Sequence, residues 1–184
     1  MNIKKIKKNI VLILSIIFTV GIVGCTSNSS SSSNVFKNMK TTNINGNKVD
    51  GSIFADKKLT LINVWNTGCT PCIDEIPILD KINKEYETKG VSIKGLILES
   101  GLGLKDKEKK VVEEILEKSK ATYQQLILSS EMLDSDVFKM LDVVPTTFFV
   151  DKNGNIVEKV EGANDYKGWK NKIKEVLKKV DGSE

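Results

Sequence analysis

Residues 59–72 constrain this chain more than any other stretch. Leu59, Leu61, Ile62 and Val64 form an apolar run that ends in Trp65-Asn66-Thr67-Gly68-Cys69-Thr70-Pro71-Cys72. Behind it, Ile73, Ile76, Leu79, Ile82 and Tyr86 recur at helical spacing. The pattern predicts a buried central strand over Leu59 to Asn66, a tight turn, and an amphipathic helix over residues 70–88 that Pro77 should kink. A Cys-x-x-Cys at a strand-to-helix junction puts its first sulfur at a helix N-terminus. Unpaired backbone N–H groups and the helix dipole favour a thiolate there over a thiol.

Two residues between Cys69 and Cys72 let the sulfurs close a small ring, so the pair can exchange its redox state with another disulfide. The alternatives are half of a zinc site or an inert structural bridge. Zinc takes about four ligands, commonly Cys or His, and this chain has no His and only one further Cys. A structural bridge over so short a loop constrains the unfolded chain little. Without His, the usual general base and metal ligand is missing, and chemistry must rest on sulfur, carboxylates or backbone dipoles.

The formal charge of +4 comes from Lys4, Lys5, Lys7 and Lys8. Beyond them the lysines and the acids balance, so the folded part gives no electrostatic reason to expect nucleic acid as a partner. Residues 1–9 are polar and basic, 10–23 almost wholly apolar, and Ile22-Val23-Gly24-Cys25 follows. That is the layout of a signal peptide, with an apolar core shorter than the ~20 residues of a membrane-spanning helix. Its last four residues resemble the bacterial lipobox, which implies cleavage after residue 24 and lipidation of Cys25; a plain secretory signal or an uncleaved anchor is the alternative. Thr26 to Asn34 is Ser-rich and reads as a flexible tether. The expected organisation is a signal peptide at 1–24, a lipidated Cys and tether at 25–34, and one domain at 35–184. With Cys25 capped, Cys69 and Cys72 remain as a pair in a compartment where disulfides persist.

Within the domain, Asn45-Gly46 signals a hairpin, so two short strands should precede the main sheet. Val91 to Glu99 reads as the next strand, parallel to the first through a one-helix crossover. After the Gly101-Leu-Gly103 break, Val111, Val112, Ile115 and Leu116 predict one face of a second helix. Leu126 to Leu128 is a short strand, and Met132, Leu133, Val137, Phe138 and Leu141 predict a third helical segment. Val144-Pro145-Thr146 leads into two strands joined by a turn at Asp151 to Gly154. Trp169, Ile173, Val176, Leu177 and Val180 mark a closing amphipathic helix.

This order, with Trp65, the Cys-x-x-Cys, Pro77 and a later Val144-Pro145-Thr146, resembles the thioredoxin fold from about residue 36 to 180. More narrowly it is similar to the membrane-tethered TlpA/ResA-like thiol–disulfide oxidoreductases. The resemblance implies an α/β, three-layer fold with a mixed central sheet flanked by helices and an N-terminal β-hairpin. It implies a cis Pro145 beside Cys69, whereas a trans Pro opening an edge strand is the ordinary alternative. Trp65, Thr70, Pro71, Val144 and Pro145 are expected to line a groove for the partner. Glu75 matches the family's active-site glutamate: either a part-buried carboxyl that handles the second thiol's proton, or a solvated first-turn carboxylate favoured by the dipole. Asn63 stands where thioredoxin has a buried aspartate, which moves proton handling towards Glu75. Gly68 replaces the Trp many relatives carry beside the first Cys and opens one side of the site.

The family reading gives a monomer without cofactor or metal, anchored outside the cell membrane. It would reduce exported protein disulfides, for example in cytochrome c maturation, and be recharged by a membrane thiol carrier of the CcdA type. An exported disulfide-forming oxidase and a donor to a peroxide or methionine-sulfoxide reductase share the same residues. From another class, a non-catalytic ligand-binding lipoprotein would carry the pair as an inert bridge.

Overall fold

The computed structural model describes residues 34–99 and 104–182. The expected signal peptide, Cys25, the tether up to residue 33 and the Gly101–Gly103 break lie outside the described residues. Lys40–Thr42 (β1) and Lys48–Asp50 (β2) form the expected antiparallel hairpin, turning at Gly46 with a φ of 81° that a glycine adopts without steric cost. Leu59–Trp65 (β3) is buried at every residue because it is central: the five-stranded sheet runs β5-β4-β3-β6-β7. Val91–Ile97 (β4) lies parallel to β3, and Gln125–Ile127 (β5) parallel to β4. Thr146–Asp151 (β6) and Ile156–Glu161 (β7) form an antiparallel hairpin on the other side, with β6 antiparallel to β3. This is the mixed sheet that the resemblance to the thioredoxin fold implied.

Alternation along the strands sorts the core into two layers. Leu59, Leu61 and Trp65 face a cluster with Ile76, Leu79 and Ile82 of Thr70–Tyr86 (α1) and Trp169, Ile173 and Val176 of Tyr166–Asp181 (α5). Ile62 and Val64 face the other layer, where Phe36, Phe54, Phe138 and Phe148 pack edge-on or tilted at centroid spacings of 5.6–6.2 Å. Asn63 shares the α1-facing side of β3, a polar residue at a core position. That placement builds the site.

α1 runs unbroken through Pro77, which is exposed. Two local expectations need correction. On Asp106–Ser119 (α2), Val112 is buried while Val111 is 40% exposed, so the apolar face is narrower than its four apolar residues suggest. The single third helix is two isolated turns, Ser130–Leu133 (α3) and Asp136–Lys139 (α4). Ser135 Oγ donates to the Met132 carbonyl at 2.6 Å, offering that carbonyl a partner outside the helical ladder and breaking the run.

Between β3, β4 and β5 the packing leaves no room for a side chain on Gly95. A Cβ there would run into the carboxamide of Gln125, whose Oε1 accepts from Trp65 Nε1 at 3.0 Å. Gly95→Ala is expected to push Gln125 aside and strand a buried indole N–H, a loss of about 1–3 kcal/mol in urea unfolding.

Candidate functional site

Cys69 is the N-cap of α1, and its Sγ accepts from Cys72 N at 3.2 Å. Sulfur thus occupies the place where a Ser or Asp oxygen ordinarily caps a helix. Pro71 fits the first turn because the N–H it lacks has no partner in the helix. The loop before Cys69 is held on two sides. Asn66 Oδ1 accepts from Gly68 N at 3.1 Å, and the Asn66 carbonyl accepts from Cys69 N at 3.2 Å. Thr67 N donates to the Glu99 carboxylate, two residues beyond β4.

Cys69 and Cys72 are joined by a disulfide with Cα atoms 5.3 Å apart. The two sulfurs are unequal. Cys69 is half-buried, while Cys72 is wholly buried in the core beneath α1. Thr70 and Pro71 are exposed beside Cys69, and Gly68 is exposed on the other side. The Val144–Pro145 bond is cis, and the Val144 carbonyl oxygen lies 3.6 Å from Cys69 Sγ. Val144 is half-buried and Pro145 buried, with the Pro145 carbonyl tied to Gly162 N at 2.8 Å.

Trp65 does not line the groove, contrary to expectation. It has no exposed surface, and its side chain points with the core face of β3 into the contact with Gln125. Trp65 directly precedes the site loop in sequence, but it is still a residue of β3, the central strand, which is buried on both faces.

Glu75, three residues after Cys72 on α1, is buried at 1% exposure, which removes the solvated alternative. Its Oε1 accepts from Asn164 N and from Trp169 Nε1, both at 2.7 Å, and Oε2 accepts from Asn63 Nδ2 at 3.2 Å. Asn63 Nδ2 also reaches Thr147 Oγ1 at 3.0 Å. Loss of water raises the carboxyl's proton affinity above that of an ordinary glutamate, and the three donors pull it part of the way back. Sequence reading did not find Trp169, Asn164 or Glu99. Trp169 looked like one more apolar residue of the last helix, and no local pattern links it to Glu75. Among the described residues no cluster of three or more Cys, Asp or Glu side chains is arranged to hold a metal ion.

The sequence model of the family described as Redoxin matches residues 29–177. The chain belongs to the Redoxin family. Within it, the chain is 27% identical over 146 residues to the thiol-disulfide oxidoreductase ResA of Bacillus thuringiensis subsp. konkukian, covering 78% of this chain and 75% of that protein. The thioredoxin domain of a thiol-disulfide oxidoreductase from Bacteroides vulgatus superposes with a TM-score of 0.57 at 25% identity, over 73% of this chain and 91% of that one. A thiol:disulfide interchange protein of Chlorobium tepidum has a TM-score of 0.62 at 18% identity, over 76% and 92%, a likeness of fold. This Redoxin is a thiol–disulfide oxidoreductase of the ResA type, carrying a Cys69–Cys72 CxxC pair.

Proposed function

We propose that the chain is a reductase of exported protein disulfides, tethered by a lipid on Cys25 to the outer face of a bacterial cell membrane. The observation that carries the redox reading is the inequality of the two sulfurs: a half-buried Cys69 capping α1 and a wholly buried Cys72 behind it. The address is supported by the basic and apolar order of residues 1–23, the lipobox-like Ile22-Val23-Gly24-Cys25 and the Ser-rich stretch after it. Among the described residues no helix is long and apolar enough to cross a membrane. On this reading residues 1–24 are removed, 25–34 form the lipidated Cys and leash, and 35–184 are the working domain.

In the dithiol form, the Cys69 thiolate attacks one sulfur of the partner's disulfide. That S–S bond breaks, a mixed disulfide forms, and the partner's other sulfur leaves as a thiolate that takes a proton from water. Cys72 then gives its proton to the Glu75 carboxylate and attacks Cys69 Sγ. The second partner thiolate is released, and the chain is left oxidised by two electrons. A membrane dithiol carrier of the CcdA type returns those electrons. Thr70, Pro71 and Gly68 border the approach to Cys69, and the Val144 backbone offers pairing to an extended partner strand, a contact tolerant of side-chain identity. Pro145 shapes that edge from beneath.

Equilibration with glutathione or dithiothreitol couples tests the direction of flow. A midpoint near −270 mV, roughly that of reducing thioredoxins, is expected; one near −120 mV, about that of a strong oxidant, would make the chain an oxidase instead. Failure to cycle with any couple would leave an inert bridge and overturn the redox reading.

A further inference from the structure

Glu75 is surrounded by donors of two kinds. Asn63 can reverse: a turned-over amide offers Oδ1 in place of Nδ2, and the Thr147 hydroxyl behind it, which accepts from Asn63 Nδ2, can donate instead. Asn63 Oδ1 has no protein partner in the present arrangement, so the turned-over amide would give a protonated Glu75 an acceptor. The other two donors, Asn164 N and Trp169 Nε1, cannot reverse, because neither nitrogen has a lone pair to offer. They favour the carboxylate in every state. Both come from one short segment, the turn after β7 and the first turns of α5, where Asp165 caps the helix by accepting from Gly168 N at 2.6 Å. Trp169 is itself wholly buried and packs on Phe149 with ring centroids 6.2 Å apart, so its N–H has little freedom to leave.

We propose that Trp169 is a positioning residue for the exchange reaction: its indole N–H holds Glu75 as the ionised acceptor of the Cys72 proton. The inference rests on Glu75 handling that proton. Asn63 and Thr147, on β3 and β6, are neutral neighbours that follow the proton rather than set it. Tyr123, before β5, is the titratable group of the neighbouring strand region that senses the Glu75 charge. Its burial keeps the phenol protonated throughout the working range, so it adds no charge to the balance. On α1 itself Cys72 stands three residues before Glu75, one helical turn away.

The test uses the full-length chain as wild type, Trp169→Phe, Glu75→Gln and the double variant. One readout is the carbon-13 titration of the Glu75 carboxyl in the dithiol state. The other is the pH dependence of glutathione release from a mixed disulfide preloaded on Cys69. Trp169→Phe should raise the Glu75 midpoint by about one pH unit, tenfold in proton affinity, and carry the acid limb of release upward with it. Glu75→Gln should abolish that limb, and Trp169→Phe should then add nothing to it. A midpoint and limb unmoved by Trp169→Phe overturn the proposal. A limb that survives Glu75→Gln overturns the Glu75 reading, whatever Trp169→Phe does to the carboxyl. Should the Phe variant fold poorly, benzothienylalanine at 169 keeps the bicyclic shape, removes the N–H and must give the same upward shift.

Discussion

Replacing Cys72 by serine is expected to stop the reaction halfway, with the chain covalently joined to its partner through Cys69. Cys69 is half-buried and keeps its place as the N-cap of α1, so the first attack survives. The second attack is lost, because a serine hydroxyl cannot displace the partner from Cys69. In the wild type that step is intramolecular, and effective concentrations for well-placed groups reach about 10⁵ M or more. Millimolar external thiol cannot substitute, so turnover of a model disulfide should fall at least about a thousandfold. Non-reducing electrophoresis of a membrane fraction should show adducts that dithiothreitol dissolves. Cys69→Ser should show none, since the remaining sulfur is wholly buried. Equal trapping by both variants would sink the assigned order of the two sulfurs.

The sulfurs and their strand-to-helix setting were legible because everything needed lies within residues 59–86. An apolar run of strand length, a spacing of three and a helical repeat are local signals, and β3 and α1 match them to within a residue or two. The Asn45-Gly46 hairpin was legible for the same reason. What local patterns could not supply is the surroundings of Glu75. Two of its donors stand 89 and 94 residues away in the chain, and only the docking of α5 against α1 brings them together. Trp65 and Trp169 show the two sides of this. Each reads as a large aromatic near an element boundary, each is fully buried, and each spends its N–H on a buried oxygen from a distant element. Periodicity predicts that such a ring goes inside. It does not predict which acceptor meets the N–H, and at Glu75 that acceptor belongs to the candidate site.

Glu75→Ala and Glu75→Gln are expected to part company in stability, and the difference measures how the buried carboxyl is held. Alanine removes the acceptor of Asn164 N and Trp169 Nε1 in a site closed to water, leaving two N–H groups unpaired at about 1–3 kcal/mol each. Urea unfolding of the oxidised chain at neutral pH should show a loss of about 3 kcal/mol or more for this variant. Glutamine keeps an oxygen for both donors and turns its amide to Asn63, whose Oδ1 is open to accept. The pH dependence follows from burial. Glu75 holds its proton more tightly in the folded state than the ordinary glutamate value of 4.5 in the unfolded chain. Its contribution is therefore fully present below that value and is lost as pH rises through the folded one. The stability of Glu75→Gln relative to wild type should climb with pH across this window and be level above it. All other titrating groups are common to both proteins and cancel in the difference. A difference independent of pH would mean that Glu75 has the same proton affinity folded and unfolded, and that burial at 1% exposure leaves the carboxyl as well solvated as water does.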